Sequence, residues 1–470
     1  MLELDSRTFD LEDQRVFSKY SGDWNPIHND HIYARRYMEG NIVVHGIHIL
    51  LWALNTWSRS ITGKLEIERI NVQFIAPVNL GERVTCFVTE NNSLLRTIEI
   101  YCQNIKVILI NFSIDQNKIF NHKPIKGTLS EFKNPIVNKL HQLCDKLGSW
   151  QLDVEYNQTE FLFPELFRSG NISLIATLIH TSRLVGMECP GLSSLYSEVE
   201  LTRSADINSE LFSYEVLNTD KRFNLTSMNI ISGNFSGTVK AFIRKSVDTQ
   251  YNLTEIRKCV SQNRFSNKNV LVIGGSRGLG ELASKILAVG GADVCLSYYQ
   301  GSTDAERIVY EIKELGGKVS AINFNIEENI NFETLFGNSW LPSCLFYFPT
   351  PRIFLGKHIG FSSNLLDRFV FYYVTAFSNI VEELYKSGLR KVFYPSTIAL
   401  NTLPTNMAEY CTAKAGGELM CEMLMKRHKG LEINFPRLPR LATDQTMSFL
   451  PINNQDPLAI ILAEIDKIMN

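Results

Sequence analysis

The feature that most constrains the fold is a long apolar segment followed by several short β-like runs. The segment from Ile47 to Trp57 is hydrophobic on nearly all sides, which predicts a helix enclosed by other structure. Four β-branched runs follow and are separated by turn residues, which predicts an antiparallel sheet. These runs span residues 70–75, 83–88, 97–101 and 107–112. A helix wrapped by a curled sheet would bury such a segment.

A polar loop, Ser-Gly-Asp-Trp-Asn-Pro-Ile-His, precedes this helix at residues 21–28. Its proline fixes one φ angle and restricts the preceding residue, so Asp23 and His28 can point at one spot. A carboxylate and an imidazole that share a small molecule can divide the acid and base roles. Gly46 stands at the helix start, where unpaired N–H groups suit a developing oxyanion. The alternative is a plain turn with His28 on the surface.

Together with Tyr33-Ala34 and His45-Gly46, this loop strongly resembles the hydratase motif of the MaoC-like, (R)-specific enoyl-CoA hydratases, which have the hot-dog fold. The resemblance runs from about residue 11 to residue 110. It implies that Asp23 and His28 hold the water that adds to a trans-2-enoyl thioester. It also implies that the Gly46 N–H polarises the thioester carbonyl, and that the substrate is a thioester of CoA or of acyl carrier protein.

The same order of elements recurs after residue 158. A helix candidate over residues 171–187 is followed by strand-like runs at 194–201, 211–217, 228–231 and 237–243. This repetition predicts a second hot-dog domain without the catalytic loop, and hence an α+β double hot-dog. His180 and Arg183 are expected to be structural, with contact from Arg183 to pantetheine or phosphate as the alternative.

The two copies are separated by a predicted linker. Apolar residues at positions 132, 136, 140, 143 and 147 have helical spacing, which predicts a helix over residues 129–147 packed between the domains. The domain boundaries expected from these patterns are 1–120 for the motif-bearing domain, 121–157 for the linker, 158–250 for the second copy and 265–470 for a C-terminal domain.

A glycine-rich turn opens the C-terminal domain. A buried strand at residues 270–273 leads into a turn and an amphipathic helix, an arrangement in which a pyrophosphate can approach the helix N-terminus. The candidate cofactor-binding residues of this turn are Gly274, Ser276, Arg277, Gly278, Leu279 and Gly280. Strands at 293–299 and 318–324, with a helix at 304–315 between them, continue the alternation. The prediction is a doubly wound, Rossmann-type α/β domain.

From about residue 269 to residue 446 the chain resembles the short-chain dehydrogenase/reductases, especially the ketoacyl-thioester reductases. Gly274, Gly278 and Gly280 match that family's glycine triplet, and Asn325 stands where the family has an adenine-contacting Asp. The second strand ends in Tyr-Tyr-Gln, without an acidic residue to bind the ribose of NAD. With Arg277 in the loop, this favours NADP(H) over NAD. Thr443-Asp444 match a Thr-Asp pair near the nicotinamide amide.

Tyr410 and Lys414 lie four residues apart on a predicted helix and share one face. The lysine ammonium would lower the tyrosine pKa, so that Tyr410 could give a proton to a carbonyl oxygen as a hydride arrives. The resemblance implies that Lys414 also holds the nicotinamide ribose. Thr397 or its neighbour Ser396 would orient the substrate carbonyl. A purely structural Tyr/Lys pair is the alternative, since such pairs are common on helices.

Three stretches depart from the reductase pattern. Residues 347–350 read Tyr-Phe-Pro-Thr in place of Asn-Asn-Ala-Gly, Tyr373 replaces the Asn of the proton relay, and Leu438-Pro439 replaces Pro-Gly. One alternative is therefore a hydratase fused to a catalytically silent nucleotide-binding domain. Others are a redox half that acts on a non-thioester carbonyl such as a sugar, and a non-catalytic scaffold that binds acyl carrier protein.

Composition excludes several classes of function. A formal net charge of -2 over 470 residues argues against binding to nucleic acid or to an anionic membrane. The nine cysteines have neither Cys-x-x-Cys nor metal-ligand spacing, so reduced thiols and no metal are expected. The chain shows neither a signal-like start nor an apolar run of the ~20 residues that span a bilayer. We expect a cytoplasmic protein that forms a homodimer.

The sequence thus predicts a bifunctional acyl-thioester enzyme of fatty-acid or polyketide-type metabolism. The N-terminal half would interconvert trans-2-enoyl and (R)-3-hydroxyacyl thioesters. The C-terminal domain would interconvert 3-hydroxyacyl and 3-oxoacyl thioesters with NADP(H). The two reactions share the 3-hydroxyacyl intermediate, which makes their fusion chemically sensible.

Overall fold

The computed structural model describes residues 1–37, 40–61, 63–90, 95–115, 124–244, 250–328, 332–336, 340–353, 360–443 and 455–469. It divides the chain into two compact units, Met1–Ser246 and Val247–Asn470. Each unit has its own hydrophobic core. Asp444, which the sequence places near a nicotinamide amide, lies outside the described residues.

The first unit is built from twelve described strands and six described helices. The strands are β1 (Leu2–Thr8), β2 (Glu66–Phe74), β3 (Arg83–Glu90), β4 (Leu95–Cys102), β5 (Ile105–Asp115), β6 (Ile125–Lys126), β7 (Leu147–Gln151), β8 (Asp153–Val154), β9 (Ser194–Arg203), β10 (Ser209–Asp220), β11 (Leu225–Gly233) and β12 (Phe235–Ile243). The helices are α1 (Leu11–Ser21), α2 (His31–Ala34), α3 (Gly46–Ser58), α4 (Tyr156–Leu162), α5 (Pro164–Arg168) and α6 (Ile172–Arg183).

Ten of these strands form one antiparallel sheet in the order β1-β3-β4-β5-β2-β9-β12-β11-β10-β7. Each half of the sheet repeats the same topology, because β7, β9, β10, β11 and β12 take the places of β1, β2, β3, β4 and β5. The halves join through β2 and β9, where Val72 pairs with Val199. Helices α3 and α6 are each buried along almost their whole length. The predicted repeat of one helix and its strands is confirmed at the level of this topology.

The predicted linker helix over residues 129–147 is wrong. In this fully described stretch the only helical element before β7 begins at Leu147 is one 3-10 turn, Leu140–Gln142. Pro135 explains the difference, because a proline disrupts a helix interior and disfavours helical geometry at the residue before it. The segment is extended instead, with Ile136 N donating to Met187 O (2.8 Å). The second half therefore begins with β7, ahead of the boundary expected at 158.

The second unit contains eight described strands and nine described helices. The strands are β13 (Asn269–Ile273), β14 (Asp293–Tyr298), β15 (Lys318–Asn323), β16 (Cys344–Tyr347), β17 (Lys391–Phe393), β18 (Ser396–Thr397), β19 (Glu432–Asn434) and β20 (Arg437–Leu438). The helices are α7 (Leu253–Arg257), α8 (Gly278–Val289), α9 (Ser302–Glu314), α10 (Phe332–Phe336), α11 (Ser363–Val370), α12 (Ala376–Lys386), α13 (Ala399–Thr402), α14 (Ala408–Arg427) and α15 (Pro457–Met469).

Six strands of this unit form a parallel sheet in the order β15-β14-β13-β16-β17-β19. Counted along the unit, this is the order third, second, first, fourth, fifth, sixth, which defines the doubly wound fold. The predicted Rossmann-type domain is confirmed by this topology. In such sheets ligands bind beyond the carboxyl ends of the strands, next to the point where the strand order reverses. Among the described residues, we find no helix with the combined length and hydrophobicity that a bilayer crossing requires.

Candidate active sites

The polar loop of the first unit is shaped by its two ends. Helix α1 stops at Gly22, which adopts a left-handed conformation (φ 74°) that favours glycine. The Asn25 side chain then accepts a hydrogen bond from Ile27 N (3.2 Å) and caps the short Pro26–His28 turn. One ligand-type atom each of Asp23, His28 and His45 lies within 4.8 Å of the other two. The predicted convergence of Asp23 and His28 on one spot is therefore present in the structure.

Asp23 is almost fully buried, with 3% of its surface exposed. Its Oδ2 accepts a hydrogen bond from Ser182 Oγ (2.7 Å), and its Oδ1 accepts one from Asn25 N (3.2 Å). Burial raises the pKa of the Asp23 carboxyl, while His28, Ser182 and the Asn25 amide act in the opposite direction. The carboxylate thus retains two donors and a neighbouring imidazole in a site that otherwise disfavours charge.

The contacts of His28 fix which ring nitrogen can accept a proton. Its Nδ1 lies 2.6 Å from Val43 O. A carbonyl oxygen can only accept a hydrogen bond, so Nδ1 must carry the hydrogen and donate it. Neutral His28 therefore presents Nε2 as its basic atom. Burial lowers the pKa of His28, and the Asp23 charge opposes this shift. A neutral imidazole next to a carboxylate is the arrangement required of a general base.

His45 supports this pair from the start of α3. Its ring stacks on the His28 ring with a centroid distance of 3.8 Å, and its Nδ1 lies 2.9 Å from Gln14 Oε1. Burial and the neighbouring His28 hold the pKa of His45 well below its ordinary value. Asp23, His28 and His45 also offer ligand atoms that could hold a metal ion. The prediction that this protein binds no metal therefore stays a prediction.

Gly46 is the first residue of α3, as predicted. A Cβ atom at this position would lie 2.8 Å from the Phe74 ring, so the close packing of β2 on the helix start requires glycine. The backbone N–H groups of a first helical turn have no partner within the helix. Gly46 therefore places a polarised N–H beside His45, whose ring contacts His28.

Sequence reasoning missed the contribution of the second half to this site. Ser182, on α6, donates to Asp23, and Asn25 Nδ2 donates to Gly186 O (2.9 Å). No motif in the sequence marks either residue, because the pairing of α6 with the loop exists only in the folded chain. His180 uses both ring nitrogens within the fold, with Trp150 Nε1 (2.7 Å) and Asp153 O (2.8 Å). It is the structural residue that the sequence predicts.

The glycine-rich turn of the second unit lies at the carboxyl end of β13. Gly274 and Gly278 have φ angles of 75° and 57°, which favour glycine. A Cβ on Gly280 would lie 2.1 Å from Gly274 O, so a side chain there would disrupt the turn. The turn leads directly into α8, with Arg277 at its N-cap, Ser276 buried and Leu279 partly buried. A close-packed, glycine-lined helix start of this kind fits a pyrophosphate.

Two further predicted cofactor contacts are described. Asn325 follows β15, the outermost strand, and its Nδ2 donates to Glu328 Oε1 (3.0 Å). Thr443 is partly buried and follows β20. The strand next to the turn, β14, ends at Tyr298 without an acidic side chain. These positions fit a nicotinamide dinucleotide bound across the sheet edge, and their contacts with it remain predictions.

Tyr410 lies on α14 and has 8% of its surface exposed. Burial raises its pKa to about 12, and a hydrogen bond with Thr397 opposes the shift. Of the two hydroxyl groups considered from sequence, Thr397 is the one that contacts Tyr410, whereas Ser396 Oγ donates to Glu418. The structure therefore brings together Tyr410 and Thr397 as predicted.

The prediction that Lys414 lowers the pKa of Tyr410 is wrong. Lys414 Nζ donates to Pro395 O (2.7 Å) and lies 4.0 Å from the centroid of the Tyr373 ring. Burial lowers the pKa of Lys414 to about 7, so the ammonium that was expected to act on Tyr410 is itself disfavoured. Tyr410 and Lys414 lie on one helix as predicted, but the groups around each side chain set the direction of its pKa shift.

Two of the three departures from the reductase pattern contact each other. The hydroxyl of Tyr373, which replaces the relay Asn, lies 2.5 Å from Thr350 Oγ1, which belongs to the replaced 347–350 stretch. The Tyr373 ring also packs edge-on against Tyr410, with a centroid distance of 5.8 Å. Tyr373, one of the substituted residues, thus lies against both Lys414 and Tyr410.

Comparisons with known proteins find similarity to two kinds of protein. A family model described as MaoC like domain matches residues 2–110, so the chain carries a MaoC-like domain at its N-terminus. The short-chain dehydrogenase/reductase homolog YusS of Bacillus subtilis (strain 168) is 36% identical over 69 residues. That match covers 15% of this chain and 63% of the relative, so the chain spans less than two thirds of this relative.

Solved structures with NADP are also similar to part of the chain. A short-chain dehydrogenase from Burkholderia cenocepacia shares 21% identity at a TM-score of 0.36, covering 43% of this chain and 92% of the other. A 3-oxoacyl (acyl-carrier-protein) reductase from Agrobacterium tumefaciens shares 14% identity at a TM-score of 0.38, and the match covers 43% of this chain and 88% of the reductase.

Proposed function

We propose that this protein is a bifunctional acyl-thioester enzyme. Its N-terminal unit would be a double hot-dog and would act as an (R)-specific enoyl hydratase/3-hydroxyacyl dehydratase. Its C-terminal unit would be an NADP(H)-dependent 3-oxoacyl/3-hydroxyacyl oxidoreductase. The observation that carries the proposal is the pairing of the buried Asp23 with the partly buried His28, whose Nε2 is left as the basic atom by the hydrogen bond from Nδ1 to Val43 O. The MaoC-like domain over residues 2–110 supports the hydratase half.

The hydration step uses groups of this chain alone. A water held between the Asp23 carboxylate and His28 Nε2 would lose a proton to His28 as its oxygen bonds to C3 of the enoyl thioester. Negative charge then moves to the thioester oxygen, where the Gly46 N–H would stabilise it. Asp23 would stabilise the transient imidazolium, which returns the proton to C2. Atoms and charge balance, and no cofactor is needed.

The hydratase half is tested with crotonyl-CoA and the purified protein. We expect formation of 3-hydroxybutyryl-CoA, measured as loss of enoyl-thioester absorbance, with the (R)-enantiomer found by chiral chromatography. Formation of the (S)-enantiomer would contradict the assigned stereochemistry. No hydration of crotonyl, hexenoyl or decenoyl thioesters of either CoA or acyl carrier protein would remove the hydratase proposal.

For the redox half we propose that NADP(H) binds at the glycine-rich turn. Gly274, Ser276, Gly278, Leu279 and Gly280 would hold the pyrophosphate, Arg277 the 2′-phosphate, Asn325 the adenine, and Lys414 and Thr443 the nicotinamide end. The bound cofactor supplies a hydride. Tyr410 would donate a proton to the carbonyl oxygen of the 3-oxoacyl thioester, and Thr397 would orient that carbonyl. The doubly wound topology and the local identity with a short-chain dehydrogenase/reductase homolog support this half.

Acetoacetyl-CoA with NADPH tests the redox half, followed by NADPH absorbance and mass spectrometry of the thioesters. Oxidation of NADPH with 3-hydroxyacyl and then enoyl products would support both activities in one chain. Untouched NADPH, with crotonyl-CoA still hydrated, would contradict reduction of this substrate.

A second candidate for the C-terminal unit is a silent nucleotide-binding domain. It is favoured by the contacts of Lys414, whose Nζ donates to Pro395 O and lies over the Tyr373 ring. Tight NADPH binding without turnover of acetoacetyl-CoA or of simple sugars and ketones would distinguish this candidate. We also propose a homodimer, which light scattering of the purified protein would test.

A further inference from the structure

The second half of the first unit lacks the Asp-x-Asn-Pro-x-His loop, yet it reaches the acid/base site. Helix α6 presents Ser182, whose Oγ donates to Asp23 Oδ2 (2.7 Å). Ser182 is 4% exposed and Asp23 is 3% exposed, so both residues are shielded from bulk solvent. A hydrogen bond to a charged group in such surroundings is stronger than one in water.

The end of α6 is shaped around the same carboxylate. The helix continues into a π-helical turn, Leu184–Glu188, and such turns occur often at functional sites. Within this turn, a Cβ on Gly186 would lie 2.1 Å from Asp23 Oδ1. The Gly186 carbonyl also accepts from Asn25 Nδ2 (2.9 Å), which fixes the loop that carries Asp23. Asp23 is thus held between a serine donor and a glycine that leaves room for it.

We infer that Ser182 is a positioning residue of the hydratase site, contributed by the half that carries no catalytic motif. This inference rests on the proposed hydratase function and extends it. Ser182 fixes one carboxylate oxygen, so that the carboxylate plane is set toward His28. It also opposes the effect of burial, which raises the pKa of the Asp23 carboxyl. The second half therefore contributes a residue to the active site, in addition to pairing its strand β9 with β2.

Other groups also act on this carboxyl and must be separated from Ser182. His28 lies on the same loop, and the ring of His45, the N-cap residue of α3, contacts Asp23 O. Tyr196 on β9 has its pKa raised partly by the Asp23 charge. Arg244 acts on His28. Because Asp23 must be ionised and His28 neutral for hydration, the acidic limb of a rate profile reports on the pair.

The test compares Ser182→Ala with Ser173→Ala. Ser173 is a buried serine on the same helix whose Oγ donates to Asn234 Oδ1 (2.9 Å), away from Asp23. With crotonyl-CoA, we expect the acidic limb of kcat/KM to move to higher pH by roughly one unit in Ser182→Ala, the size of one lost charge-assisted hydrogen bond. Ser173→Ala is expected to leave the acidic limb at the pH of the unmodified protein. Ser182→Thr, which keeps a hydroxyl group, is expected to have its acidic limb at that same pH.

A second readout needs no substrate. Carboxyl ¹³C NMR of aspartate-labelled protein, with the Asp23 signal assigned by its loss in Asp23→Asn, measures the Asp23 titration directly. An upward shift in Ser182→Ala and none in Ser173→Ala would support the inference even if no thioester is hydrated, in which case only the hydratase proposal fails. An unchanged Asp23 titration in Ser182→Ala would overturn the inference, whatever the catalytic activity.

Discussion

The acid/base site of the first unit and the Tyr/Lys pair of the second unit carry familiar residue types, but their neighbours treat them differently. Around Asp23 and His28 the polar partners complement the proposed roles: a donor on each carboxylate oxygen and a carbonyl on His28 Nδ1. In the second unit Tyr410 has the Thr397 hydroxyl as a partner, but the partners of Lys414 are a backbone carbonyl and aromatic rings. The comparison teaches that a motif predicts which residues meet, whereas the surrounding groups decide which protons they hold.

The largest effect is expected from Asp23→Asn, which removes the charge and keeps the shape. Hydration of crotonyl-CoA should fall by roughly 10²–10⁴-fold, the usual contribution of a positioned acid or base. Any NADPH oxidation with acetoacetyl-CoA should be unchanged, because Tyr410 and Lys414 belong to the other unit. Asp206→Asn, on an exposed turn, serves as the control. Equal hydration by both variants would contradict the role of Asp23.

Tyr410→Phe tests whether the second site is active at all. If Tyr410 donates the proton, reduction should fall by roughly 10²-fold or more while hydration is unchanged. Tyr310→Phe is the matched control, since this tyrosine is 66% exposed on α9. Reduction that survives in Tyr410→Phe would mean that another group supplies the proton.

Gly186→Ala should impair the first site from the second half. The added methyl group would lie 2.1 Å from Asp23 Oδ1 and must displace the carboxylate, and a displacement of about 1 Å can cost on the order of 10²-fold in rate. Gly416→Ala, on α14, is the control, because a Cβ there meets only Val374 at 3.4 Å. Full hydratase activity in Gly186→Ala would show that the carboxylate position is not critical.

The smallest effect concerns stability and pH. The folded-state pKa of Lys414 is lowered to about 7, below the 10.5 of a free lysine, so the unfolded chain binds more protons between these values. This group therefore makes the second unit more stable as the pH rises from about 7 toward 10. Urea unfolding should show that the free energy of unfolding rises more between pH 7 and pH 9 for the unmodified chain than for Lys414→Met. An equal rise in the free energy of unfolding for the two proteins would contradict a lowered pKa of Lys414.

Local patterns in the sequence predict much of the fold. The apolar segment 47–57 corresponds to Gly46–Ser58, and the strand at 270–273 and its glycine turn lie where predicted. Pro135 marks where periodicity misleads, because five apolar positions at helical spacing surround a residue that disrupts the helix. Ser182 and the charge state of Lys414 could not be predicted, since both depend on residues far apart in the sequence that meet only on folding.

The pairing of β2 with β9 also bears on what happens if the first unit is shortened. A chain that ended before β7 would leave the β2 backbone from Arg69 to Gln73 without the hydrogen-bonded partner that β9 provides. An open strand edge of this kind recruits another strand, so such a fragment would self-associate or precipitate. It would lose Ser182 as well. A fragment that keeps the β2–β9 pairing and the Ser182–Asp23 hydrogen bond therefore has to include both halves of the ten-stranded sheet.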